Sequence, residues 1–123
     1  MKRESIISKL LDLALAQDIE IQVEALATIC NMSLDGCIDE YHHDVFKKVD
    51  MKNLISFLCS SDATCRLFGA LSIGNIASET QLQHNIVEGG SLAPLINVGN
   101  SADVETQRCI AYALSNLCAE ASN

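Results

Sequence analysis

Tryptophan is absent from this chain of 123 residues, and Tyr41, Tyr112, Phe46, Phe57 and Phe68 are its whole aromatic complement. With so few rings, a core has to be assembled from Leu, Ile, Val, Ala and Cys, which suits closely approaching helices better than a β-sandwich. Basic residues are scarce as well: 8 Lys and Arg stand against 16 Asp and Glu, a formal net charge of −8. Contact with phosphates needs clusters of Lys and Arg, so nucleic-acid and anionic-membrane binding are not expected, and basic partners are the electrostatic complement. No apolar run approaches 18 residues, so no membrane insertion is expected. The start "MKRESIISKLL" lacks the continuous apolar region and cleavage site of a signal peptide. Lys2 excludes N-myristoylation, and no prenylation box closes the chain.

What is present is apolar and helical in pattern. Nearly half the residues are hydrophobic, too many for a disordered tail. The length suits one domain. Six cysteines occur, and Cys30, Cys59, Cys65, Cys109 and Cys118 fall in helical apolar patterns where a thiol acts as a small hydrophobe. Without a secretion signal they read as reduced structural thiols of a cytoplasmic or nuclear protein.

The informative feature is internal repetition. Three segments align without gaps: "DIEIQVEALATICNMSLD" (18–35), "DATCRLFGALSIGNIASE" (62–79) and "DVETQRCIAYALSNLCAE" (103–120). Each opens on Asp, ends on an acid and carries Asn at its fourteenth position, namely Asn31, Asn75 and Asn116. Ahead of them "LLDLALAQD", "LISFLCSSD" and "LINVGNSAD" also correspond. "YHHDVFKKVDMKN" and "LQHNIVEGGSLAP" align at His43 and His84. The unit is therefore a short, a medium and a long helix. The division is a partial repeat over 4–35, which lacks its short helix, a repeat over 39–79 and a repeat over 80–121, all within one domain. Asp18, Asp62 and Asp103 are expected N-caps. Gly89 and Gly90 are expected to turn the chain, with Pro94 in the first turn of the following helix.

The stretch from Asn85 to Glu120 resembles an armadillo repeat of the β-catenin and importin-α kind. It matches that family at its Asn, Ile-Val, Gly-Gly, Pro-Leu-Ile, Ser-x-Asp, Glu-x-Gln and Ala-Leu-x-Asn-Leu positions in order. The first complete unit departs from the pattern, with Lys48-Val49 in place of the Gly pair and Asp44 in place of Asn85. Asp50 is the expected substitute cap for the helix that follows, and 34–39 is the expected loop feeding the unit. The resemblance implies an all-α, right-handed α-solenoid of armadillo repeats whose long helices line a concave groove. It also implies a non-catalytic module or scaffold that binds an extended or helical partner segment.

Positions at i, i+4, i+7 and i+11 share one helix face. Ending that stripe on each Asn selects Glu20, Glu24, Ala27 and Asn31, then Thr64, Phe68, Leu71 and Asn75, then Glu105, Cys109, Tyr112 and Asn116. The candidate partner-binding groove is Asn31, Asn75, Asn116, Tyr112, Leu71, Phe68, Glu20, Glu24 and Glu105. Away from it, Ile19, Leu26, Ile29, Met32, Ala63, Ala70, Ile73, Ile76, Val104, Ala111, Leu114 and Leu117 are expected in the core.

The amide carries donors and an acceptor, so a ladder of Asn pairs with the backbone of an extended peptide whatever its side chains. The resemblance implies that use; the plain alternative is that each Asn bonds backbone between repeats. Importin-α-like proteins place Trp four residues before that Asn, where this chain has Ala27, Leu71 and Tyr112. Only Tyr112 offers a cation–π face there, although Glu20, Glu24 and Glu105 still favour a basic ligand. Cys37, His42 and His43 lie close together but show no fourth zinc ligand. No catalytic grouping, phosphate loop or cofactor motif is apparent, so neither enzyme activity nor a cofactor is expected.

Two and a half repeats is short for a solenoid. The chain reads as a segment of a longer array or as a protein that covers its ends by forming a homo-oligomer. Structural assembly through the solenoid ends, and a piece of a nuclear-import adaptor, are the alternative functions.

Overall fold

The computed structural model describes residues 3–34, 51–88, 90–100 and 103–121. All but the first residue of the expected loop over 34–39 and most of the expected first short helix lie outside them, together with Cys37, His42, His43, Asp44, Lys48, Val49, Asp50 and Gly89. In chain order the elements are α1 (Arg3–Ala14), α2 (Ile19–Met32), α3 (Met51–Ser56) and a 3₁₀ turn (Phe57–Cys59). There follow α4 (Ala63–Ala77), α5 (Thr80–Glu88), α6 (Leu92–Gly99) and α7 (Val104–Ala121). No strand occurs among the described residues.

The three long helices start where their carboxylates allow. Asp18 accepts from the Ile21 N–H at 3.1 Å, Asp62 from Cys65 N–H at 2.9 Å and Asp103 from Thr106 N–H at 3.1 Å. Each satisfies an orphan donor of the first turn. Gly90 takes φ +76° ahead of α6, the left-handed conformation that glycine adopts without a Cβ penalty. Pro94 then occupies the first turn of α6, where no intrahelical donor is required.

Corners are held by a recurring device that sequence reading missed. A long polar side chain from an early turn of one helix reaches back to a carbonyl at the end of the helix before it. Gln22 donates to Ala16 O, Arg66 Nη1 to Ser60 O at 2.9 Å, and Gln107 to Gly99 O at 2.9 Å. Gln83 does the same to Ala77 O at 2.8 Å. Helix C-termini otherwise leave such carbonyls without a partner. For Gln22 and Gln107 the Glu-x-Gln register was the available signal.

Packing is sequential: α1 lies on α2, α2 on α4, and α4 on α7, with α5 and α6 backing α7. The central α4 is accordingly apolar nearly all round and buries Cys65, Gly69, Ala70, Ser72, Ile73, Gly74, Ile76 and Ala77. One contiguous core runs through the molecule, with Leu26, Leu54, Ile73, Leu95 and Leu117 among its fully buried members.

The expected core needs correction at four positions. Ile19 and Val104 are 40% and 62% exposed, and Ala63 is exposed too. These are the first helical residues after each Asp cap and project outward in all three long helices. Ala111 is exposed because α7 has a long-helix neighbour on one side only, whereas its counterpart Ala70 is sandwiched between α2 and α7. The true inner stripe of α7 is Thr106, Ile110, Ala113 and Leu117. Leu26, Ile29, Ala70, Ile73, Ile76 and Leu117 are buried as expected, and Met32 and Leu114 pack against the core while half-buried.

Candidate functional site

The three repeated asparagines occupy three different environments. Asn31 is exposed near the end of α2. Asn75, half-buried on α4, turns its amide toward the preceding long helix. There its Nδ2 donates to Cys30 O and to Ser33 Oγ, each at 3.3 Å, and lies 3.8 Å from Cys30 Sγ. Ser33 is fully buried and itself donates to Cys30 O at 2.9 Å, so a serine–amide network ties α2 to α4. The amide oxygen of Asn75 takes no hydrogen bond among the described residues. Asn116 is different again: its Nδ2 is buried without a partner among the described residues. The register removes one of the two acceptors. Two residues beyond Asn31 stands Ser33, but two beyond Asn75 stands Ala77, which has no hydroxyl to offer.

Between α4 and α7 lies a concavity of about 230 Å³ lined by Ala70, Leu71, Gly74, Asn75, Arg108, Cys109 and Tyr112. Four of these, Leu71, Asn75, Cys109 and Tyr112, fall on the face selected from the sequence. Tyr112 is 54% exposed, and a Cβ placed on Gly74 would sit 3.2 Å from its Cδ1, so the ring lies against bare helix backbone. Leu71 supplies an aliphatic wall. Arg108 escaped the sequence selection because it lies one position off the stripe; it makes no ion pair among the described residues.

Glu20 and Glu24 are not part of this hollow. They border a second concavity of about 500 Å³ between α1 and α2, with Leu10, Leu13, Asp18, Ile21, Ala25 and Thr28. Phe68 belongs to neither: it is half-buried and packs against the core. Glu105 is exposed on the first turn of α7, and its charge is one of the influences that raise the Cys109 thiol, after the larger effect of burial.

Burial pushes the Cys30 and Cys65 thiols up, away from the nucleophilic thiolate. Cys59 and Cys118, expected in apolar packing, are exposed. Asp103 is held down at about 2, first by the Thr106 N–H, then by the Thr106 hydroxyl and the Arg66 guanidinium. Arg66 Nε meets Asp103 Oδ1 at 3.1 Å while its Nη1 holds Ser60 O, so one side chain links the start of α7 to the start of α4. Among the described residues no three His, Cys, Asp or Glu side chains converge as metal ligands, and no helix is long and apolar enough to cross a membrane.

No sequence-family model matches the chain, and no curated protein matches it. Solved structures do. An engineered protein from a structural genomics consortium superposes with TM-score 0.75 at 28% identity, over 92% of this chain and 45% of its own. A designed armadillo repeat protein in complex with the peptide (KR)4 gives TM-score 0.74 at 22% identity, over 92% of this chain and 47% of its own. A second designed armadillo repeat protein gives 0.71 at 17%, over 89% and 46%. The chain thus spans less than half the length of these structures. Stacked long helices, Asp-capped and backed by shorter ones, together with these neighbours give the chain the armadillo repeat fold, an all-α solenoid.

Proposed function

We propose that this chain is a non-catalytic protein-interaction module that holds an extended segment of a partner against its long helices. The observation carrying this reading is the concavity between α4 and α7. It combines a half-exposed aromatic ring, an aliphatic wall and an asparagine whose amide oxygen takes no hydrogen bond among the described residues. Exposed tyrosines with a rigid backing are frequent anchors of binding energy. The net charge of −8 and the carboxylates of Glu20, Glu24 and Glu105 support a mainly basic partner. A structural neighbour seen with (KR)4 agrees with that chemistry.

Selection of binders from a displayed peptide library tests the reading. Tyr112→Ala and Leu71→Ala should each weaken selected peptides by about tenfold or more while leaving helicity unchanged. Peptides indifferent to both substitutions would refute the groove.

A second reading, assembly through the solenoid ends, has its own observation. Leu13 and Ile21 are 47% and 42% exposed, whereas the residues at their register positions one repeat on, Phe57 and Cys65, are 6% and 0% exposed. If this face takes a partner or a second copy, Ile21→Lys should abolish concentration-dependent association in sedimentation while Tyr112→Ala leaves it intact. Monomers at every concentration would remove self-assembly.

A further inference from the structure

The carboxylates favouring a basic ligand are unevenly placed. Glu20 and Glu24 border the hollow between α1 and α2, whereas the cation lining the α4–α7 concavity is Arg108. Arg66, the nearby arginine of α4, is committed to Asp103 and Ser60 O. On the α4 side of the hollow, Ala70, Leu71, Gly74 and Asn75 bring no charge. On α7, Glu105 stands one turn before Arg108, and no ion pair joins the two.

Resting on the groove reading above, we propose that the α4–α7 concavity is a subsite for a carboxylate-bearing residue flanked by an apolar one, so that the partner segment is bipolar. The apolar side chain lies on Leu71 and the Tyr112 ring, and the carboxylate pairs with the Arg108 guanidinium. A main-chain N–H of the segment donates to the Asn75 oxygen. The planar fork of arginine matches a carboxylate in two-point geometry, which a lysine could not offer. Toward α2 the same segment passes Glu24 and Glu20 and is basic there. Packed helices stand about 8–10 Å apart, so α2 and α7 are separated by roughly 16–20 Å across α4. An extended chain covers that span in about five or six residues. The partner motif is therefore a basic pair followed or preceded, some five residues away, by an apolar–acidic pair.

Three labelled probes decide this by fluorescence polarisation: (Lys-Arg)₄, Lys-Arg-Lys-Arg-Leu-Glu-Leu-Glu, and the latter reversed. One bipolar peptide should bind the protein about fivefold or more tighter than (Lys-Arg)₄, the order of binding giving the chain direction. Arg108→Glu should erase or invert that preference, and Arg108→Gln should reduce it. A preference for (Lys-Arg)₄ that Arg108→Glu leaves unchanged overturns the subsite while leaving the groove standing, provided that Tyr112→Ala still weakens binding. Affinities untouched by both Arg108→Glu and Tyr112→Ala, or no binding of any probe, overturn the subsite and the groove together. Salt titration provides a second reading, because the Arg108-dependent part of the preference should vanish above about 0.5 M salt.

Discussion

Replacing each repeated asparagine separately should give three different stabilities, although the residues hold the same place in the repeat. Asn75→Ala removes the donor shared by Cys30 O and Ser33 Oγ at 3.3 Å and leaves the fully buried Ser33 hydroxyl without that contact. A buried hydrogen bond contributes about 0.5–1.5 kcal/mol, and an abandoned buried partner adds to the loss. About 1–2 kcal/mol of destabilisation is expected. Asn31 is exposed and should tolerate Ala to within about 0.5 kcal/mol. Asn116→Leu removes a buried Nδ2 that has no partner among the described residues. Its effect should be neutral or stabilising by up to about 1 kcal/mol, because an unsatisfied amide carries a desolvation penalty of that order or larger. Urea unfolding followed by circular dichroism measures all three, with an unchanged m-value as the condition for comparing them. A double-mutant cycle extends the test: Ala77→Ser, restoring the hydroxyl found at Ser33, should stabilise only when Asn116 is present. Equal losses at all three positions would refute this account of the Asn column, as would an Asn116→Leu protein less stable than Asn75→Ala.

Two further outcomes follow from local geometry. Asp103 has its carboxyl lowered to about 2, so the stability it lends is complete above the unfolded value near 4 and is lost as pH falls toward 2. Asp103→Asn should flatten that part of the acid-unfolding profile, monitored by ellipticity between pH 5 and 1.5, and an unchanged profile would contradict the assignment. The two interior glycines of α4 should respond oppositely to alanine in thermal unfolding. A Cβ on Gly69 would stand 3.1 Å from the Phe57 Cβ, an atom fixed close to its own backbone, and should destabilise by about 1–3 kcal/mol. A Cβ on Gly74 meets the half-exposed Tyr112 ring, which can swing outward. There the helix-propensity gain of up to about 1 kcal/mol should prevail while the ring shifts away from the α4–α7 concavity.

Features that depend on one helix at a time were legible in the sequence: the Asp caps, the positive-φ glycine, the all-α class and the spacing of the long helices. Features that depend on what lies beside a helix were not. Ala70 and Ala111 share a register, yet one is buried and the other exposed because α4 has two long-helix neighbours and α7 one. Thr106 and Ile110 went unnoticed because the inner stripe was anchored on the hydrophobes next to Asn116, which left out a buried threonine bonded to its own cap. At the α4–α7 concavity, Leu71, Asn75 and Tyr112 came from the helical period applied to the face that the armadillo resemblance implies, whereas the contact of Asn75 with α2 required seeing Ser33. Arg108 required seeing which side of α7 faces the hollow.

The corner brackets should also shape how the molecule responds to force. Gln107 grips Gly99 O from the first turns of α7, and Asp103 is bound to Arg66 at that same end. A pull on the C-terminus strips α7 from its far end, where neither attachment lies. The helix should then be nearly unwound before the joint to α6 opens. Extension should therefore proceed in steps of about one long helix, with resistance rising at the close of each step, as in a strap riveted at its inner end.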